Sequence, residues 1–243
     1  MSVDDVKPGP PGESGASAAG VEGSRLDWRF LIPNLERAVA LNLDPDPSMP
    51  RALAGCCARV VTLDRSVEDD LPDLSAVRTE AGVLPPAGDG FDLVVFGRLI
   101  ESMAGRAGER DGLVRQVAGM LRPAGRVVLL GRNPSMLARL RRRGSPDTAA
   151  QSGAGLGLRG YRRLLRNAGL ELRAAYWVEP TCESPRHWIR LEHRGPAMHY
   201  LSRPQYREGP RARLLRTFLR GMAALGGASR FASNFLIVGG PVR

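Results

Sequence analysis

The sequence predicts an α/β fold, a mostly parallel sheet with helices on both faces. Three observations carry that expectation. From Arg37 onward, short apolar runs of strand length recur, each bounded by turn residues. Stretches with apolar residues at helical spacing lie between them, the alternation that parallel sheets covered on both faces require. At 243 residues and 43% hydrophobic content, the chain is long enough to bury one full core of this kind.

The elements follow in order. Residues 1–25, opening "MSVDDVKPGPPGESGASAAG", are rich in Gly, Pro and Ser and read as a disordered leader, with residues 26–243 as the folded domain. The leader has no basic start followed by an apolar stretch, so it is not a secretory signal. "RAVALNL" (Arg37–Leu43) is the first strand, and "SMPRALAGCC" a short helix with Ser48 as its cap and Pro50 in its first turn. "RVVTLD" (Arg59–Asp64) is a second strand ending on an acid, and "AVRTEAG" (Ala76–Gly82) a short third strand at the edge. "FDLVVFG" (Phe91–Gly97) is the fourth. Leu113, Val114, Val117 and Leu121 then mark a helix that Pro123 and Gly125 stop, before a fifth strand at Arg126–Gly131. After a polar gap, Leu158, Tyr161, Leu164 and Leu165 share a helix face, with Gly169 suited to the residue after the helix end. "LELRAAYWVEP" (Leu170–Pro180) and "NFLIVGG" (Asn234–Gly240) are the sixth and seventh strands.

Between those two strands, at about 181–232, lies an Arg-rich insertion expected to be irregular. It holds one amphipathic helix, "GPRARLLRTFLRGMAALG", with Leu214, Leu215, Phe218, Leu219, Met222 and Leu225 on one stripe. The stripe is expected to pack on the sheet and leave the arginines in solvent, where they could meet a partner helix or an anionic lipid surface. Charge is lopsided: residues 141–243 carry 19 Arg against 6 acids, while the rest of the chain is slightly acidic, within a total of +10. Such a half favours an anionic partner. Nucleic acid is not favoured, because the tyrosines are scattered and no recognition motif is present.

No apolar run is long enough for a transmembrane helix. Cytoplasm is therefore the expected location, with the inner membrane face as a further docking place. Cys56, Cys57 and Cys182 form no disulfide framework and no metal knuckle, and read as packing residues in a reducing compartment. His187, His193 and His199 recur every six residues, a spacing that suits no common zinc site, so no metal is expected.

"FDLVVFGRLIESM", a helix, and "MLRPAGRVVLLGRNP" together resemble the central half of the class I S-adenosylmethionine (SAM) dependent methyltransferases. Phe91 and Asp92 match that family's strand opening, and Glu101 its helix acid, while Ser102 stands where His is usual and Ala124 replaces a glycine. "GYRRLLRNAGLELRAAYWVEPTCESPR" is similar to the helix and sixth strand that follow, especially in members from bacterial polysaccharide and natural-product pathways. The resemblance implies a Rossmann-like sheet of seven strands, its last strand antiparallel and inserted as a hairpin. It implies SAM as cofactor, a small-molecule or carbohydrate-like acceptor, and a site beyond the strand ends. Carried over by position, Asp44, Asp46 and Ser48 stand in the first loop, and Asp64 holds the ribose end. Glu80 and Ala81 face adenine, and Phe96 at the end of the fourth strand completes the cofactor set.

One stretch departs from the pattern. In "ALNLDPDPSMPRALAG" Asn42 stands where an acid is common, and Asp44, Asp46 and Ser48 where glycines are common. Glycine serves there because a sharp turn must bring backbone close to the ligand. Prolines at 45 and 47 bias the preceding aspartates towards extended conformations and remove two N–H donors. New carboxylates repel the cofactor's carboxylate, although they attract its ammonium group. Two functions stay open on the residues. One is a working methyltransferase, with Glu101, His187 and His193 as candidate general bases and Trp177, Trp188 and Tyr200 as candidate pocket walls. The other is an inactive methyltransferase-like subunit that binds a protein partner or anionic surface through its basic half.

Overall fold

A computed structural model describes residues 28, 31–46, 48–62, 74–76, 90–103, 105–134, 155–182, 185–202, 210–224, 227–230 and 232–242. Its strands are β1 (Val39–Asn42), β2 (Arg59–Thr62), β3 (Leu74–Ala76), β4 (Phe91–Gly97), β5 (Leu121–Arg132), β6 (Leu170–Pro180), β7 (Pro185–Arg190) and β8 (Asn234–Pro241). Its helices are α1 (Ser48–Ala54), α2 (Leu99–Ser102), α3 (Ala107–Met120), α4 (Leu158–Asn167), α5 (Arg194–Ser202) and α6 (Pro210–Ala224).

The strands form one sheet in the order β3-β2-β1-β4-β5-β8-β6-β7. Pairings from β3 across to β5 are parallel, and β8 runs antiparallel between β5 and β6. This is the expected arrangement of seven strands, extended by one. The sheet is buried on both sides, and residues alternate between two cores with the period of a strand. Along β4, Leu93 and Val95 join Met49 and Leu53 of α1 on one face, while Val94 and Phe96 join Val114 and Val117 of α3 and Tyr161 of α4 on the other. β8 repeats this, with Leu236 and Val238 on the first face and Phe235 and Ile237 on the second.

Four expectations need correction. The third strand lies at Leu74–Ala76 and meets the expected segment, Ala76–Gly82, only at Ala76, while residues 77–82 fall outside the described set. Helix α3 ends at Met120, and Leu121 already pairs with Phe91 in β5. The pairing then jumps from Phe91–Leu121 to Leu93–Arg126, so Pro123 sits in a bulge where its missing N–H costs no ladder bond. The segment at 181–232 is not irregular, because it supplies the edge strand β7 and helices α5 and α6. β7 forms because residues 185–190 fold back antiparallel on β6, burying Ile189.

The fourth concerns the amphipathic stripe. α6 packs on α5 and on the 3-10 turn Ala228–Arg230, while α5 leans on β7. This second layer buries Ala223 but leaves Leu214 and Phe218 74% and 54% exposed, so these two do not reach the sheet. One helix end falls where the sequence placed it, with Gly169 after α4 at a φ of 74°, and Pro210 opens α6, a position that suits its missing N–H. Among the described residues, no helix is long and apolar enough to cross a membrane. The leader at 1–25 lies outside them.

Candidate functional site

Strand order reverses between β1 and β4, and open α/β sheets form their ligand crevice beyond the strand ends at such a point. The loop that enters it is built from side chains. Buried Asn42 ends β1, and its Oδ1 accepts the Asp44 N–H at 3.2 Å while its Nδ2 donates to the Asp44 carbonyl at 3.3 Å. Asp44 Oδ1 accepts the Asp46 N–H at 3.1 Å. Asp46 Oδ1 in turn accepts the Ser48 N–H at 3.0 Å and the Ser48 hydroxyl at 2.7 Å. The Asp46 carbonyl takes the Met49 N–H at 3.0 Å. Each polar residue thus satisfies the amide two positions ahead, a succession of Asx turns. Pro45, Pro47 and Pro50 carry no N–H at all. From 44 to 50, every backbone donor is either missing or spent inside the loop.

Asp44 also reaches the end of the neighbouring strand β4. Its carboxylate rests against Gly97, whose φ is 50°, and a Cβ added there would overlap it. Only a glycine admits the carboxylate at that spot. Burial pushes the Asp44 carboxyl above the ordinary aspartate range. The Asp46 amide opposes that push and the Asp46 charge adds to it, while the Arg98 guanidinium and amide stabilise the anion. Beside this contact lies a cavity of about 310 Å³ lined by Asp44, Asp46, Met49, Arg98, Leu130 and Cys182. It joins the ends of β1, β4, β5 and β6 on one face of the sheet.

The predicted cofactor residues part company here. Asp44 and Asp46 line the cavity, while Ser48 is turned onto Asp46. Phe96 is wholly buried in the core on the opposite face. Asp64, Glu80 and Ala81 lie outside the described residues. Arg98 and Cys182 were not anticipated. The signal for Arg98 was its place directly after the glycine that ends the fourth strand. Cys182 lies two residues past the end of β6, so its signal was likewise its place just beyond a strand.

The candidate bases sit elsewhere. Glu101 Oε1 accepts the Arg132 N–H and so fastens α2 to the end of β5. His187 is exposed on β7 with its ring 5.3 Å from Tyr200, and His193 is exposed before α5. Trp177 is a core residue: its ring meets Tyr200 edge-on at 5.2 Å, and its Nε1 donates to Glu179 at 2.5 Å. Among the described residues, no group of three His, Cys, Asp or Glu could hold a metal ion. The Cys57 thiol is pushed upward by its contact with Cys56 and by burial, which disfavours the reactive thiolate.

A second, larger cavity of about 690 Å³ opens on the other face of the sheet, between the end of β5, the first turn of α4 and the 3-10 turn. Arg159, Arg162 and Arg230 line it.

No protein-family model matches the chain, and no curated protein matches it by sequence. Solved structures do match by shape. The CcbJ methyltransferase from Streptomyces caelestis aligns over 96% of this chain and 99% of its own, at 13% identity and a TM-score of 0.53. A TehB-like SAM-dependent methyltransferase from Corynebacterium glutamicum aligns over 91% of this chain and 88% of its own, at 14% identity and a TM-score of 0.51. The N,N-8-amino-8-demethyl-D-riboflavin dimethyltransferase RosA from Streptomyces davawensis covers 63% of this chain and 49% of its own, at 13% identity and a TM-score of 0.50. With this strand order and these structural neighbours, the chain has the α/β fold of the class I SAM-dependent methyltransferases.

Proposed function

We propose that this chain is a diverged SAM-dependent methyltransferase acting on a small-molecule or carbohydrate-like acceptor in a bacterial biosynthetic pathway. The observation that carries this reading is the charge pattern of the crevice cavity. Asp44 and Asp46 stand beside Arg98 at the strand-order switch. The amino-acid end of SAM presents an ammonium, a sulfonium and a carboxylate. Two carboxylates and a guanidinium complement those groups, so side chains take over what glycine-loop backbone does elsewhere. The bound cofactor would supply a methyl group already activated by the sulfonium. The chain's task is then alignment of the acceptor, with Arg98 and Asp44 orienting the amino-acid end. A small-molecule acceptor agrees with the flavin-type acceptor named for RosA.

One observation favours a second reading, an inactive methyltransferase-like subunit that binds a partner. Asp44 already reaches Gly97 and Arg98 at the end of β4, and the 44–50 loop has no spare amide. In that reading Asp44 stands where a ligand would, and the exposed Leu214, Phe218, Arg213 and Arg220 of α6 offer the contact surface.

Calorimetric titration with SAM and with S-adenosylhomocysteine separates the two. The transferase reading expects micromolar SAM binding, stronger than for the uncharged thioether, and weakened about tenfold or more by Asp44→Ala through loss of a charge-assisted contact. Wild-type protein that melts cooperatively yet binds neither compound would overturn it. SAM binding gained on Asp44→Ala would establish the aspartate as a plug and favour the second reading.

A further inference from the structure

We propose that the second cavity is a binding site for an organic phosphate or diphosphate. Three arginines line it from two separate elements, Arg159 and Arg162 from α4 and Arg230 from the 3-10 turn, all with exposed side chains. Among its described lining residues there is no acid. The neighbouring Glu192 is engaged elsewhere, with Arg190 at 3.2 Å and with the Ala175 N–H.

The placement of the two exposed arginines on α4 is mildly unfavourable without a ligand, each effect being small at a solvated position. Residues three apart on a helix share a face, so Arg159 and Arg162 repel each other. Both lie near the N-terminal end of α4, where the helix dipole disfavours cations, and the first turn contains no acid to offset them. Neither forms an ion pair among the described residues. An anion in the cavity would relieve both effects at once.

The site is also held in shape. Buried Asn133, at the end of β5, donates from Nδ2 to the Ser229 carbonyl at 2.8 Å and the Ala232 carbonyl at 2.7 Å. These bonds fasten the turn that carries Arg230 to the sheet. Guanidiniums bind phosphate oxygens in a fork, and three of them match the two or three negative charges of a diphosphate. At about 690 Å³ the cavity far exceeds a phosphate group, and Leu158, Leu191 and Met222 give it an apolar wall for an organic moiety. This inference is independent of whether SAM binds in the other cavity.

The phosphate could belong to a soluble nucleotide or sugar phosphate, or to a lipid headgroup. Calorimetry with ADP tests the first, and co-sedimentation with phosphatidylglycerol vesicles the second. The expected result is micromolar binding of one probe that weakens with salt. The Arg159→Ala/Arg162→Ala double variant should weaken it at least tenfold and Arg230→Ala severalfold, while the lysine pair Arg159→Lys/Arg162→Lys retains part of the affinity. Arg213→Ala/Arg220→Ala on α6 should leave it unchanged. ADP binding identifies a soluble ligand, and vesicle binding alone identifies a headgroup. Failure of both probes would overturn the proposal. So would equal losses from the α6 pair, because binding would then follow diffuse charge rather than the cavity.

Discussion

Asn133→Ala tests whether the end of β5 and the turn before β8 are one rigid unit. The wild-type amide donates two bonds from a residue only 3% exposed, to carbonyls of Ser229 and Ala232. Alanine removes both donors and leaves two carbonyls short of a partner, at about 1–2 kcal/mol each. The loss of about 2–4 kcal/mol lowers Tm by roughly 5–12 °C in a domain of this size. Differential scanning calorimetry reads that directly. Asn133→Asp is the sharper companion, because it keeps the shape and points a carboxylate at two carbonyls. Its deficit should exceed that of alanine at neutral pH and shrink as the carboxyl protonates. A Tm for Asn133→Ala within about 1 °C of wild type would refute the reasoning, since one buried and one part-buried bond cannot vanish at that cost. The turn would then be held by the Asn133 N–H to Ser233 carbonyl bond at 2.9 Å and by packing.

Two further outcomes follow from buried polar groups. Among the described residues the buried Tyr161 hydroxyl has no hydrogen-bond partner, and it packs where Gly131 leaves room for it, so Tyr161→Phe should stabilise by about 1 kcal/mol and raise Tm a few degrees. A fall in Tm would reveal a bond to that hydroxyl and refute this. For Asp44, burial raises the folded-state pKa above the unfolded one, so the folded state binds its proton more tightly. Ionisation therefore costs stability, and the cost grows as pH rises from about 4 through the folded-state pKa. Urea midpoints of Asp44→Asn relative to wild type should thus improve from pH 4 to pH 7, and a difference that does not change with pH would count against it.

The central strands of the sheet were legible because burial on both faces leaves continuous apolar runs, as in "FDLVVFG" and "NFLIVGG", and turn residues end them, whereas the edge strand β7 was not. Helix ends were legible where a single residue type dictates the backbone, as Gly169 and Pro210 do. The local chemistry of 44–50 was half legible. Two prolines remove donors in any fold, but that each aspartate caps the amide two ahead depends on how the turn closes. Less could be read where a contact joins distant parts of the chain. Nothing near residue 44 says that its carboxylate meets Gly97, and the stripe on α6 reads as core-facing until α5 is seen to intervene. The same holds for the arginine cavity. Charge asymmetry led to the expectation of an anionic partner, but only the fold brings Arg230 into one cavity with Arg159 and Arg162, because β8 returns the chain's end to β5. Sequence by itself determined the class of fold, since hydrophobic periodicity is a local property. Tertiary structure decided which charges share a cavity, since that depends on strand order, which no local pattern encodes.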